Sequence, residues 1–220
     1  MSSTLHARPD EAADAGPPAL RLPFDVAEVA HHPLTTERMT LRPLAATDAA
    51  DVWEYQRLPE VLRYIPWPER GRDEAREHTV TRSRMRRLGA DGDPIFLAMV
   101  FQRRVIGDVM LRVSSVAQAR LEIGWVVHPG FQGRGLAAEA ADAVLDLAFD
   151  RLAAHRVVAH LDARNTPSAR LCERLGMRRE ATLLDDEFAD DEWQDTASYG
   201  MLRREWRAIR NRPLRPAEPA

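Results

Sequence analysis

Lysine is absent from all 220 residues, so the 31 basic positions are all arginine, balanced against 34 acidic ones for a formal charge of -3. The absence looks like compositional bias, and it removes any function that needs a lysine at a fixed place, such as a Walker-type phosphate loop. Cysteine occurs once, at Cys172, which excludes an internal disulfide framework and fits a small core residue in a reducing compartment. No run approaches the ~18 apolar residues of a membrane span, and the opening "MSSTLHARPDEAADAGPP" lacks the apolar core of a signal peptide. These absences point to a soluble, cytoplasmic protein without a membrane partner. Aromatics make up only 6% and do not interleave with the arginines at 82, 84, 86 and 87. That run therefore reads as a solvated helix face and not as a nucleic-acid platform.

What is present suits one domain with tails, long enough to bury roughly 70% of the surface its unfolded chain exposes. Residues 1–33 are rich in Ala, Pro, Asp and Glu without sustained periodicity and read as a mobile leader with one extended segment, "ALRLPFDV". The domain is expected over 34–207, with 208–220 as a flexible tail. Within it, "TERMTLRPL" alternates like a strand, a helix follows Thr47 and Asp48, and a second helix spans Arg72 to Leu88 before Gly89. "PIFLAMVF" and "RVIGDVMLRV" read as a hairpin.

The most informative stretch is "WVVHPGFQGRGLAAEAADAVLDLAF", an apolar strand, a loop with three glycines in six residues, and a helix with its stripe at Leu136, Ala140, Val144 and Leu147. "HRVVAHL" follows as a strand, so the order is strand, helix, strand, which predicts a parallel pair with the helix laid over the sheet. Glycines between a strand and a helix N-terminus leave backbone N–H groups pointing outward, a geometry that suits phosphate as well as it suits an ordinary tight turn. The dinucleotide fingerprint fits poorly: Ala stands where its third glycine belongs, and Asp150, in the acid's range, sits at a helix end. A short helix after Asn165 and Pro167, ending at Gly176, and a strand pair around the acidic run "DDEFADDEWQD" complete the domain.

Taken with "TERMTLRPL", "LEIGWVVHP" and "DARNTPSARLCERLGMRR", the loop "QGRGLA" at 132–137 resembles the (R/Q)-x-x-G-x-(G/A) segment of the general-control-related N-acetyltransferases, the GNAT superfamily. The likeness spans about 34–207 and is greatest to the branch that acetylates N-terminal alanine or serine of ribosomal proteins. It implies an α+β acyl-CoA N-acyltransferase fold, with a mixed central sheet of about seven strands flanked by about four helices. It also implies an enzyme that moves an acetyl group from acetyl-CoA to an amine within a ternary complex, needing no metal and leaving room for a homodimer.

By the same resemblance, Gln132, Gly133, Arg134, Gly135, Leu136 and Ala137 hold the diphosphate of acetyl-CoA, and amides of Val126, Val127 or a neighbour face the acetyl carbonyl. Asn165 bonds the pantetheine arm, although the same residue is a good helix cap. Ser168 donates a proton toward the sulfur. Glu187, followed by the aromatic Phe188, occupies the position of the branch's proposed base, with Asp185, Asp186 or no protein base at all as alternatives. Tyr64 and Trp67 in "RYIPWP", and Trp125, are expected as walls for the acceptor. A protein N-terminal amine is the expected acceptor, a small-molecule amine such as an antibiotic or polyamine the alternative, and a non-catalytic acyl-CoA-binding module the rival of another class.

Overall fold

The computed structural model describes residues 18–65, 67–189 and 191–211. Its central sheet has eight strands: β2 (Leu34–Thr35), β3 (Thr40–Pro43), β5 (Pro94–Phe101), β6 (Arg104–Ser115), β7 (Arg120–Val127), β8 (Arg156–Asp162), β9 (Arg178–Ala189) and β10 (Glu192–Leu202). The spatial order is β2-β3-β5-β6-β7-β8-β10-β9, and β7 with β8 is its parallel pair. A separate two-stranded ribbon joins β1 (Phe24–Asp25) to β4 (Arg87–Leu88). Helices α1 (Ala27–His31), α2 (Ala49–Gln56), α3 (Pro59–Leu62), α4 (Arg72–Arg84), α5 (Leu136–Asp146), α6 (Thr166–Leu175) and α7 (Arg203–Arg210) complete the α+β architecture.

Of the elements beyond the expected number, β1 and α1 come from chain expected to lie outside the domain. Phe24, Val26 and Val29 are buried in the main core, so the packed domain begins before residue 34; residues 1–17 lie outside the described residues. The same contact shortens the second expected helix. The Val26 amide donates to the Arg86 carbonyl at 2.8 Å and Leu88 is fully buried against this ribbon, so residues 86–88 are drawn into strand pairing and α4 stops at Arg84. At the other end α7 carries helix to Arg210, inside the expected tail, while residues 212–220 lie outside the described residues.

The stripe Leu136, Ala140, Val144 and Leu147 is buried throughout, which seats α5 on one face of the sheet. The other face carries a smaller cluster of Leu44, Val52, Tyr55, Ala98 and Val105, with Val126 packed against it. Beside it lies a buried ion pair between Arg82 of α4 and Asp108 of β6, whose second oxygen accepts a 2.6 Å hydrogen bond from the Tyr55 hydroxyl. Burial pushes the Tyr55 phenol well above its ordinary pKa, with the adjacent Asp108 adding to the effect. The phenol therefore stays a donor, and this polar contact ties both helices to β6 directly behind β7.

Candidate active site

Where β7 leaves its neighbour, the sheet opens. β8 pairs with β7 only from Arg120 to Glu122, opposite Arg156 to Val158, and then continues along β10 as far as Asp162. Beyond Glu122 the two parallel strands part into a wedge. The His128 amide donates to the Ile106 carbonyl at 2.8 Å, and the register sets Asp108 opposite Val126 and Gly107 opposite Val127. Antiparallel alternation therefore directs the Val126 N–H into the sheet and turns those of Trp125 and Val127 toward the wedge. Of the amides expected to face the cleft, Val127 and the neighbour Trp125 do so.

The glycine loop closes one end of the wedge. Gly133 and Gly135 adopt φ of 70° and 78°, the left-handed region that glycine enters without a Cβ penalty. A Cβ at Gly133 would meet nothing within 4 Å, so this backbone lies open to a ligand. The Glu139 amide donates to the Gly135 carbonyl, whereas the six amides from Gly133 to Ala138 make no hydrogen bond among the described residues. Six unsatisfied donors at the start of an eleven-residue helix, where the macrodipole adds partial positive charge, suit a diphosphate. The donor set fits the acetyl-CoA that the sequence suggested.

The loop is braced from the turn between β2 and β3. Arg38 gives its amide to Glu139 Oε1 at 2.8 Å, its Nε to Oε2 at 2.7 Å, and its Nη1 to the Arg134 carbonyl at 2.9 Å; the Thr36 hydroxyl also bonds Glu139. Burial alone would raise the Glu139 pKa, but these hydrogen bonds outweigh it and hold the carboxyl below its ordinary value. A carboxylate next to the anion site is thus neutralised by arginine. Gln132 adds a second tie, its side-chain amide donating to the Val127 carbonyl at 3.0 Å.

Wedge and loop open into one cleft of about 470 Å³. Trp125, Val126 and Val127 line it from β7, and Gln132, Gly133, Gly135, Leu136 and Ala137 from the loop and α5. Asn165 and Ser168 line the α6 side, and Tyr64 the side of α3. Asn165 caps α6, its Oδ1 accepting from the Ser168 amide at 3.1 Å, which leaves its side-chain NH2 as the remaining donor. The Trp125 indole N–H donates to Ser168 Oγ at 3.3 Å.

Three expected residues stand apart from this cleft. Arg134 turns back over the rings of Phe101 and Phe131, at 5.1 and 5.7 Å, because two aromatic faces beside the loop attract its cation. Trp67 packs edge-on to His78 at 5.5 Å and under Arg82, which draws it onto α4 and away from an acceptor. Glu187 is exposed on the edge strand β9, opposite Gln194, and Phe188 turns to Trp193 at 5.4 Å and does not enclose it. Sequence reasoning missed Glu60 of α3, the carboxylate that lines the cleft, and Arg170 and Arg174 on its α6 wall. Glu60 sits three residues before the "RYIPWP" segment expected to meet the acceptor, and that nearness was the available signal.

Known proteins carry the same arrangement of segments. Residues 38–178 match the family model described as an acetyltransferase (GNAT) domain. An uncharacterised N-acetyltransferase of Bacillus subtilis, YnaD, is 30% identical over 173 residues, covering 79% of this chain and 98% of that protein. A putative ribosomal N-acetyltransferase of the same organism, YdaF, is 27% identical over 175 residues, covering 77% and 94%. The crystal structure of a GNAT-family acetyltransferase from Bacillus anthracis aligns with a TM-score of 0.70 at 27% identity, covering 79% of this chain and 99% of that one. The family match takes in the loop, the parted strands and α6 together, and the chain therefore belongs to the GNAT superfamily as an acetyl-CoA-dependent N-acetyltransferase.

Proposed function

We propose that this enzyme acetylates a protein N-terminal amine, and that it does so in the cleft between β7, α5, α6 and α3. The observation that carries the site is that Gly133, Gly135, Leu136, Ala137 and Ala138, five residues with free amides, line the same cleft as Ser168. In this reading the loop amides hold the diphosphate of acetyl-CoA, and the donors of Asn165 and Val127 hold the pantetheine arm. The amide of Trp125 or Val127 faces the thioester carbonyl, where a preorganised donor stabilises the oxyanion as the amine attacks. The carbon–sulfur bond then breaks, and Ser168 supplies the proton that the thiolate takes up.

The amine must arrive neutral. An α-amine has a pKa of ~8 against ~10.4 for a lysine side chain, so its deprotonation costs about 3 kcal/mol less at ~1.4 kcal/mol per unit. A weak base is enough, and Glu60, lining the cleft beside Tyr64, is better situated for it than Glu187 on the exposed β9 edge. The likeness to YdaF, a putative ribosomal N-acetyltransferase, supports the same acceptor class. The test is thiol release from acetyl-CoA across free N-terminal peptides, N-terminally blocked peptides bearing lysine, and small amines at pH 7.5. Free N-terminal peptides should react fastest. Faster turnover of blocked peptides or of a polyamine would overturn the acceptor, and absence of thiol release from every amine would favour a binding module.

A further inference from the structure

Trp125 is expected from the sequence to form an acceptor wall, yet its polar atom is directed elsewhere. The indole N–H of β7 crosses the wedge to Ser168 Oγ on α6, at 3.3 Å and between half-buried residues. Forty-three positions separate the two in sequence, so the contact exists only because β7 parts from β8 and lets α6 approach. The Ser168 amide is already held by the Asn165 cap, which fixes the backbone but leaves the hydroxyl free to rotate.

An indole N–H is a donor only, whereas a serine hydroxyl carries one donor and two acceptor sites. When Trp125 occupies an acceptor site of Oγ, the hydroxyl proton cannot point along that direction and turns to the cleft. We propose that Trp125 is a positioning residue that orients the Ser168 hydroxyl as a donor toward the leaving sulfur. The bond also favours proton transfer: a donor aimed at Oγ stabilises the negative charge that grows there as the proton departs. The balance of the step is complete within the known reaction. The amine nitrogen bonds the acetyl carbon, the carbon–sulfur bond breaks, the thiolate takes the Ser168 proton, and Ser168 regains one from the amine through the cleft or from water.

This inference rests on Ser168 acting as the acid, and a double-mutant cycle separates the two ideas. Trp125→Phe keeps an aromatic ring in the wedge and removes only the indole N–H. It should lower kcat about 10-fold, the worth of one hydrogen bond, while the KM for acetyl-CoA stays within about twofold. In a Ser168→Ala background the same change should cost nothing further, because its only route to the chemistry is gone. A purely structural role would instead reduce kcat by the same factor in both backgrounds, and that result overturns the inference while leaving the acid in place. Wild-type turnover in Ser168→Ala removes the acid and the inference together. Trp125→Leu, which has no polar atom, serves as the second probe if the phenylalanine variant does not fold, and wild-type kcat there overturns the proposal equally.

Discussion

At the scale of single residues, Gly135 and Glu60 decide the most. Gly135 sits at φ 78°, where a β-branched side chain is strained, and a Cβ would already lie 3.4 Å from the Arg38 guanidinium that braces the loop. Gly135→Val should therefore abolish acetyl-CoA binding measured by calorimetry, and unchanged affinity in a folded variant would remove the loop from the site. Glu60→Gln tests the base. It should lower kcat about 10²-fold and flatten the acid limb of the pH profile, as loss of a general base does, whereas Glu187→Gln should leave both near wild type. The opposite ranking in steady-state assays would return the role to the position the sequence suggested. The loop glycines were legible because their chemistry is local. Glu60 was not, since no periodicity tells which side of a four-residue helix faces a cleft.

Among the elements, β7 matters most, and its position depends on β6. Gly107 of β6 faces Val127, and a methyl added there would collide with the Val126 carbonyl oxygen and reach 3.0 Å from the Val127 Cα. Both atoms belong to backbone that cannot rotate aside. Gly107→Ala should push β7 out of register at the wedge, destabilising the protein by about 1–3 kcal/mol, as overpacking does, and weakening acetyl-CoA binding at the same time. Denaturant unfolding and calorimetry together check this, and a variant with wild-type values in both would show that β7 tolerates displacement. The strand–loop–helix–strand order and the buried stripe of α5 were predictable from spacing. The parting of β7 from β8 after Glu122 was not, because a run of apolar letters reads alike whether its far edge is paired or open.

For the whole molecule, the informative group is His78 of α4, edge-on to Trp67 and near the charges of Arg70 and of Arg82, the partner of Asp108. Burial, then the nearby charges of Arg70 and Arg82, push its pKa down to about 4 from an ordinary 6.5. The unfolded chain therefore binds this proton more readily than the folded one. The stability that a neutral His78 permits is complete above about pH 6.5 and is lost progressively as pH falls toward 4. Because the ring is only half-buried, solvent screening limits the loss to about 1–2 kcal/mol, or a few degrees at ~2–4 °C per kcal/mol for a chain of this length. In thermal scans from pH 7 to 4.5, His78→Phe should fall less steeply than wild type, and parallel curves would show that the acid sensitivity lies elsewhere.

The sequence alone determined what depends on neighbours within a few residues: the glycine loop, the Asn165 cap, the Leu136–Leu147 stripe and the hairpin of β5 and β6. Each follows from backbone sterics or from a period of two or 3.6, which act over a turn or a strand. Tertiary structure decided what depends on register and on the meeting of distant elements. Residues 24–31, without periodicity of their own, joined the core with β1 paired to β4 and Phe24 opposite Leu88; Arg38 reached Glu139 across 101 positions; and Trp125 met Ser168 across a wedge that no local pattern encodes. Candidate residues such as Asn165 and Ser168 could be named from the chain, but which residues face one another is set by where β7 lets go of β8.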